Sequence, residues 1–140
     1  MAPEIEKLIE AAIVELAEGP HWDAETQSLY FVDVTGQYIH KYVPSTKKHT
    51  KARIGKNVSF IIPVQGKNDQ FVISTDREIT LITWDGESEE VSNLQKLYEV
   101  DENIETAIND GKCDPSGRLW AGIEHILGNP SGLYGYVKLN

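Results

Sequence analysis

Leu29-Tyr-Phe-Val-Asp-Val-Thr-Gly-Gln-Tyr-Ile-His-Lys-Tyr-Val43 holds two short runs rich in aromatic and β-branched residues, 29–33 and 38–43, with Gly36 between them. Such side chains suit a pleated, half-buried surface, and two runs flanking a glycine turn read as a β-hairpin. The arrangement returns twice. Phe71-Val-Ile-Ser-Thr75 is followed by Ile79-Thr-Leu-Ile-Thr-Trp84, and Leu119-Trp-Ala-Gly122 by Leu133-Tyr-Gly-Tyr-Val-Lys-Leu139. A turn precedes each pair: Asp23-Ala-Glu-Thr-Gln-Ser28, Gly66-Lys-Asn-Asp-Gln70 and Asp114-Pro-Ser-Gly-Arg118.

The spacing is nearly regular, with 42 residues from Leu29 to Phe71 and 48 from Phe71 to Leu119. Units of roughly 40–50 residues with about four strands each are the mark of propeller blades. An ordinary meander with coincident spacing is the competing reading. Ten to twelve residues before each pair stand Glu18, Ser59 and Asn109, where a blade's innermost strand lines the central channel. The second unit reads as a buried strand there, Val58-Ser-Phe-Ile-Ile-Pro-Val64. The first and third do not: they offer Glu18-Gly-Pro-His-Trp-Asp23 and Ile108-Asn-Asp-Gly-Lys-Cys-Asp114. Charged and amide groups are costly to bury unpaired, so these segments face a water-filled channel or bind a ligand.

Composition sets the outer limits. The chain has 140 residues, a length for one domain, and a net charge of −9. That balance argues against general affinity for nucleic acid or anionic membrane, which needs clustered Lys and Arg. Cys113 is the single cysteine, which fits a reducing compartment, and its place in the alternation predicts a small buried hydrophobe. No apolar run approaches the ~18 residues of a membrane span. The first residues lack a basic region before an apolar core, so no signal peptide is expected and a cytoplasmic location is. Ile5, Leu8, Ile9, Ala12, Ile13 and Leu16 follow i, i+3, i+4 spacing and predict a helix over 4–12, ended before Gly19-Pro20, while Ile13-Val14-Glu15-Leu16 also reads as the start of a short strand into Glu18-Gly19-Pro20.

Glu18-Gly-Pro-His-Trp22 followed by Leu29-Tyr-Phe-Val-Asp33 resembles the first blade of the regucalcin, gluconolactonase and luciferin-regenerating-enzyme family. Ser59-Phe-Ile-Ile-Pro63 and Ile82-Thr-Trp-Asp-Gly86 are similar to its luciferin-regenerating branch. Asn109-Asp-Gly-Lys112 with Asp114-Pro-Ser-Gly-Arg-Leu-Trp-Ala-Gly122 resembles its third-blade signature. The resemblance implies an all-β, six-bladed propeller, of which this chain holds the first two and a half to three blades. The expected division is an N-terminal segment at 1–17 and blades near 18–56, 57–107 and 108–140 of one incomplete domain. It further implies a metal-dependent lactone hydrolase with a small-molecule lactone substrate and a divalent metal, Ca, Zn, Mn or Mg. Glu18 matches the first-blade metal ligand, Asn109 a substrate-contacting asparagine, and Asp110 its constant supporting neighbour. The remaining ligands and the general base lie in later blades, so no catalytic residue is expected here and activity alone should be poor.

The chain departs from the pattern at several places. Ala107 stands where the family has an arginine, Gly122-Ile123-Glu124 replaces Gly-Thr-Met, a later acidic contact falls near Leu127, and the insertion before the third hairpin is shorter. These departures keep two alternatives open: a regucalcin-like calcium-binding protein without catalysis, and a half-propeller that self-associates through exposed blade faces.

Each site residue also has a plainer reading. Glu18 also reads as a solvated carboxylate, and Asn109-Asp110-Gly111 as a hairpin turn, though the second turn at 114–117 leaves little strand between them and favours a channel role. His21, His40, His49 and His125 lack ligand spacing and are expected to be structural or exposed. Glu124-His125 reads as a loop and Glu87-Ser-Glu-Glu90 as a turn. Residues 101–105 lack the spacing of an EF-hand loop, and no Gly-x-Ser-x-Gly elbow is present.

Overall fold

The computed structural model describes residues 3–5, 14–100, 105–125 and 136–139. The predicted helix falls largely on 6–13, outside the described residues, as do Leu127 and most of the 101–105 stretch. Among the described residues every regular element is a strand. No helix among them is long and apolar enough to cross a membrane.

Three antiparallel meanders follow one another. The first holds β1 (Ala17–Asp23), β2 (Ser28–Asp33), β3 (Tyr38–Val43) and β4 (Lys48–Arg53). The second holds β5 (Ile61–Pro63), β6 (Gln70–Thr75), β7 (Glu78–Thr83) and β8 (Ser92–Glu99). The third holds β9 (Thr106–Cys113), β10 (Leu119–His125) and β11 (Tyr136–Leu139). In each, spatial order is sequence order, as in a propeller blade. All three hairpins read from the sequence are present, as β2–β3, β6–β7 and β10–β11.

Alternation explains how the sheets stack. Phe71, Ile73, Ile82 and Trp84 point from the second sheet toward Tyr30, Val32, Ile39 and Ala52 of the first. Ile79 and Val72 point the other way, joining Phe60 and Val100 against Ile108, Leu119, Ala121 and Ile123 of the third. The second sheet is therefore buried on both faces, and its hairpin carries apolar residues on both, with Phe71, Ile73 and Ile82 on one and Val72 and Ile79 on the other.

The first strands of the sheets converge. A Cβ on Gly19 would stand 2.8 Å from the Ser59 carbonyl oxygen, and one on Gly111 would stand 2.5 Å from the Phe60 ring. Glycine at 19 lets the backbone of β1 approach that of residues 59–60, and glycine at 111 leaves room in β9 for the Phe60 ring. Here the structure differs from the expected buried strand over 58–64. Val58, Ser59 and Phe60 are buried, but only Ile61–Pro63 pair with β6. The Ser59 N–H donates instead to Ser74 Oγ at 2.7 Å, so a side chain takes the place of a ladder bond.

Two further expectations are corrected. Cys113 is exposed. It pairs with buried Leu119 and shares its face, but it ends β9 beside an open cleft with Ile62 and Lys112. Glu124 and His125 lie in β10 rather than in a loop, opposite Ala107 and Thr106.

The first sheet carries a stack of Phe31, His40 and His49, with ring centroids 4.6 and 5.1 Å apart in succession. His40 Nδ1 and His49 Nε2 lie 2.9 Å apart and share one proton, while His40 Nε2 is buried without a partner. Burial first, then the charges of His49 and Lys51, lower the His40 pKa to about 4, against the opposing pull of Asp33. Tyr38 closes the site edge-on. The unfolded chain thus binds a proton that the folded chain refuses between about pH 6.5 and 4, so stability falls as pH falls through that window. We expect urea unfolding to show a loss of about 2 kcal/mol across it, screening included, and His40→Phe to flatten the slope. An unchanged slope would place the titration elsewhere.

Candidate functional site

Backbone bonds beyond the ladders, one of them between sheets, fix the junction where the sheets meet. The Val34 N–H donates to the Leu16 carbonyl at 2.9 Å. In the second sheet the Asp76 N–H donates to the Asn57 carbonyl at 2.9 Å, and the Asp76 carbonyl accepts from the Ile108 N–H at 2.8 Å. Asp76, at φ 53°, is the turn residue that ties the second sheet to the third.

Two β-bulges aim the candidate side chains. In β1, Glu18 pairs with Val32 and His21 with Tyr30, so Gly19 and Pro20 together face Phe31 alone. Gly19 takes φ +58°, which glycine adopts without strain. In β9, Asp110 pairs with Gly122 but Ile108 with Ile123, leaving Asn109 as the extra residue. A bulge breaks the two-residue alternation and re-aims a side chain, which is why bulges recur beside functional sites.

The result is a cleft of about 100 Å³ at the sheet junction. It is lined by Glu18 from β1, Asn57, Ser59 and Asp76 from the second sheet, and Asn109 and Glu124 from the third. Glu18 and Asn109, 91 residues apart in sequence, thus stand in one place. Asn109-Asp110-Gly111 lies within β9 and forms no hairpin turn. Asp110 is not part of the cleft. It borders a neighbouring one with Gly19, Phe60 and Lys112, and its Oδ1 accepts from the Gly111 N–H at 2.7 Å.

Sequence reading passed over Asn57 and Asp76 and set Glu124 aside as a loop residue. For Glu124 a signal existed: Leu119, Ala121 and Ile123 are buried, so position 124 falls on the opposite face from the core.

A larger cleft of about 210 Å³ lies between the β1–β2 turn and residues 63–68. Of its two carboxylates, Asp23 and Glu25, Asp23 already accepts from Thr26 Oγ1 at 2.6 Å and the Glu25 N–H at 3.0 Å. The channel-mouth cleft differs: among the described residues Glu18, Asp76 and Glu124 have no side-chain hydrogen bond or ion pair. Free oxygen donors of this type match a hard divalent cation. They do not make a closed centre, since no three His, Cys, Asp or Glu side chains among the described residues are grouped to hold a metal.

A family model described as "SMP-30/Gluconolactonase/LRE-like region" matches residues 16–137. Regucalcin of Danio rerio is 32% identical over 108 residues, covering 77% of this chain and 34% of the relative. A putative sugar lactone lactonase of Bacillus subtilis is 29% identical over 113 residues, covering 81% and 37% respectively. Among solved structures, a luciferin-regenerating enzyme superposes with TM-score 0.82 at 43% identity, over 89% of this chain and 45% of that one. A calcium-binding regucalcin of Agrobacterium tumefaciens superposes with TM-score 0.76 at 19% identity, covering 94% and 45%, and supports the fold alone. The chain spans about a third of the length of these curated relatives and 45% of the solved structures. The architecture is all-β, part of a propeller.

Proposed function

Because this chain belongs to the SMP-30/gluconolactonase/LRE-like family, we propose that its channel-mouth cleft is part of a lactone-hydrolysing site for a small-molecule lactone. The observation that carries the reading is the pair of bulges that turn Glu18 and Asn109 into one cleft. The three sheets are read as successive blades, near 18–56, 57–107 and 108–140, following an N-terminal segment at 1–17.

Each residue then has a part. The Asn109 amide, with an N–H donor and a carbonyl acceptor, orients the lactone by hydrogen bonds to its ring or hydroxyl oxygens. Asp110 supports β9 through its bond to the Gly111 N–H. Glu18 offers a free carboxylate to a divalent cation, which when bound polarises a carbonyl and acidifies water. The described residues leave that ligand set incomplete, and none of them is assigned as general base. Turnover by this chain alone is therefore expected to be slow.

The free Glu18 carboxylate, in a cleft that no basic side chain lines among the described residues, also favours a second reading: cation binding without turnover. Thermal unfolding with and without millimolar Ca²⁺ or Mn²⁺ tests what the two share. A ligand at 100 times its dissociation constant, bound only to the folded state, adds about 2.7 kcal/mol and moves the midpoint by several degrees. We expect that rise in the wild type and its loss in Glu18→Gln. A midpoint indifferent to metal removes the cation from both readings. Lactone turnover above the metal-only background then separates hydrolase from binder.

A further inference from the structure

Resting on the cleft as a lactone site, we propose that the Ser59 hydroxyl donates a hydrogen bond to the carbonyl oxygen of the lactone and is aimed there by Ser74. Ser59 lines the cleft and is 5% exposed. Its Oγ lies 2.7 Å from Ser74 Oγ, and its backbone N–H donates to that same Ser74 Oγ at 2.7 Å. Ser74, on β6, is 1% exposed and does not line the cleft.

The direction of the bond between the two hydroxyls follows from counting protons. A hydroxyl has one proton to give and two lone pairs to accept with, and the bonds around it decide where the proton points. If Ser59 donated to Ser74, Ser74 Oγ would accept twice, from the Ser59 N–H and the Ser59 O–H. Its own proton would then be buried without an acceptor, which is costly. Among the described residues no other side-chain bond is available to it. Ser74 therefore accepts from the Ser59 N–H and donates to Ser59 Oγ. The Ser59 proton is left over. No protein acceptor among the described residues takes it, and the open side of Ser59 is the cleft.

The rest of the lining gives this proton its use. Glu18, Asp76 and Glu124 offer acceptors when ionised, and Asn57 and Asn109 carry donor and acceptor on amides that can turn either way. The hydroxyls of a lactone can meet such groups by donating. Its carbonyl oxygen can only accept. Ser59 supplies a neutral donor whose direction the fold sets in advance. A carbonyl oxygen has two lone pairs, so this bond is compatible with a cation on Glu18 that takes the other.

A matched pair of probes isolates the carbonyl. D-glucono-1,4-lactone and 1,4-anhydro-D-glucitol share their ring and hydroxyls, and the second has a methylene where the first has the carbonyl. Affinities for both would be measured by ligand-detected NMR for the wild type, Ser59→Ala, Ser59→Cys, Ser74→Ala and the double alanine variant, each first shown to unfold cooperatively. Ser59→Ala is expected to weaken lactone binding by about fivefold and to leave 1,4-anhydro-D-glucitol unchanged. Ser59→Cys keeps an atom that can accept from Ser74 but donates weakly, so it is expected to fold and to show the same selective loss. Ser74→Ala frees the Ser59 hydroxyl to turn. It is expected to weaken lactone binding by about twofold, and to change nothing further once Ser59 is alanine.

Equal weakening of both probes, or of neither, in the Ser59 variants overturns the bond from Ser59 and leaves the lactone site standing. A Ser74→Ala effect that persists in the Ser59→Ala background overturns the aiming role of Ser74. Folded wild type that does not bind the lactone overturns the lactone site and this inference with it.

Discussion

Phe60→Ala is expected to lower the unfolding free energy by about 4 kcal/mol, measured by urea titration. Phe60 is 1% exposed and stands where the first strands of all three sheets meet. Its ring packs with Ile79 and Val100 against Ile108, Leu119, Ala121 and Ile123. Gly111 lies directly against that ring, and the Phe60 Cα stands 3.3 Å from where a Gly19 Cβ would be. Because the surrounding backbones are held by ladders, the space left by truncation closes only in part, which adds a cavity cost to the lost burial. Domains of this size are stable by roughly 5–15 kcal/mol, so the variant should approach the edge of folding. Phe60→Leu, which keeps most of the volume, should lose far less. A loss below about 1 kcal/mol for the alanine variant contradicts the packing of the second and third sheets.

Asp33→Ala is expected to cost about 3 kcal/mol in the same measurement. The Asp33 carboxylate is 3% exposed. It accepts from the Leu16 N–H at 2.9 Å, the Glu15 N–H at 3.1 Å and the Gly36 N–H at 3.2 Å. One side chain thus ties the entry of the chain to the β2–β3 turn, and its removal leaves three donors to find other partners. Burial works against the charge, but the bonds from Leu16, Glu15 and Gly36 outweigh it and hold the pKa below the ordinary Asp value. The sign follows from proton binding. Stability from Asp33 is fully present above the ordinary carboxylate pKa of about 4 and is lost as pH falls through its lower folded value. Acid unfolding is therefore expected in two stages, His40 between about pH 6.5 and 4 and Asp33 below that. Asp33→Asn should shrink the second stage, which Asp23, Asp85, Glu99 and Asp114 share, while the first remains.

The hairpins were legible because aromatic and β-branched runs mark strands that face a core, as in Phe71-Val-Ile-Ser-Thr75. The outer strands were not. β4 reads Lys-His-Thr-Lys-Ala-Arg and buries only Ala52, while β8 leaves Leu94, Leu97 and Tyr98 exposed at the edge of its sheet. With only one face or neither against a core, their sequences carry little period. The chemistry of the inner strands was legible as polar groups where apolar ones were due. Their geometry was not, because a bulge depends on the register of the partner strand. That register is why Asn109 joins Glu18 while Asp110, one residue on, faces a neighbouring cleft. The proton-sharing pair of His40 and His49 was hidden for the same reason, since only the β3–β4 ladder brings residues nine apart into contact.

The most direct test of the account is an amide-resolved NMR titration of the chain with D-glucono-1,4-lactone. The account predicts shifts concentrated at residues 16–19, 57–59, 107–109 and Glu124, around the cleft that Glu18 and Asn109 share. Shifts gathered instead at residues 63–68 and 23–26, around the larger cleft, or none in a folded chain, would contradict it.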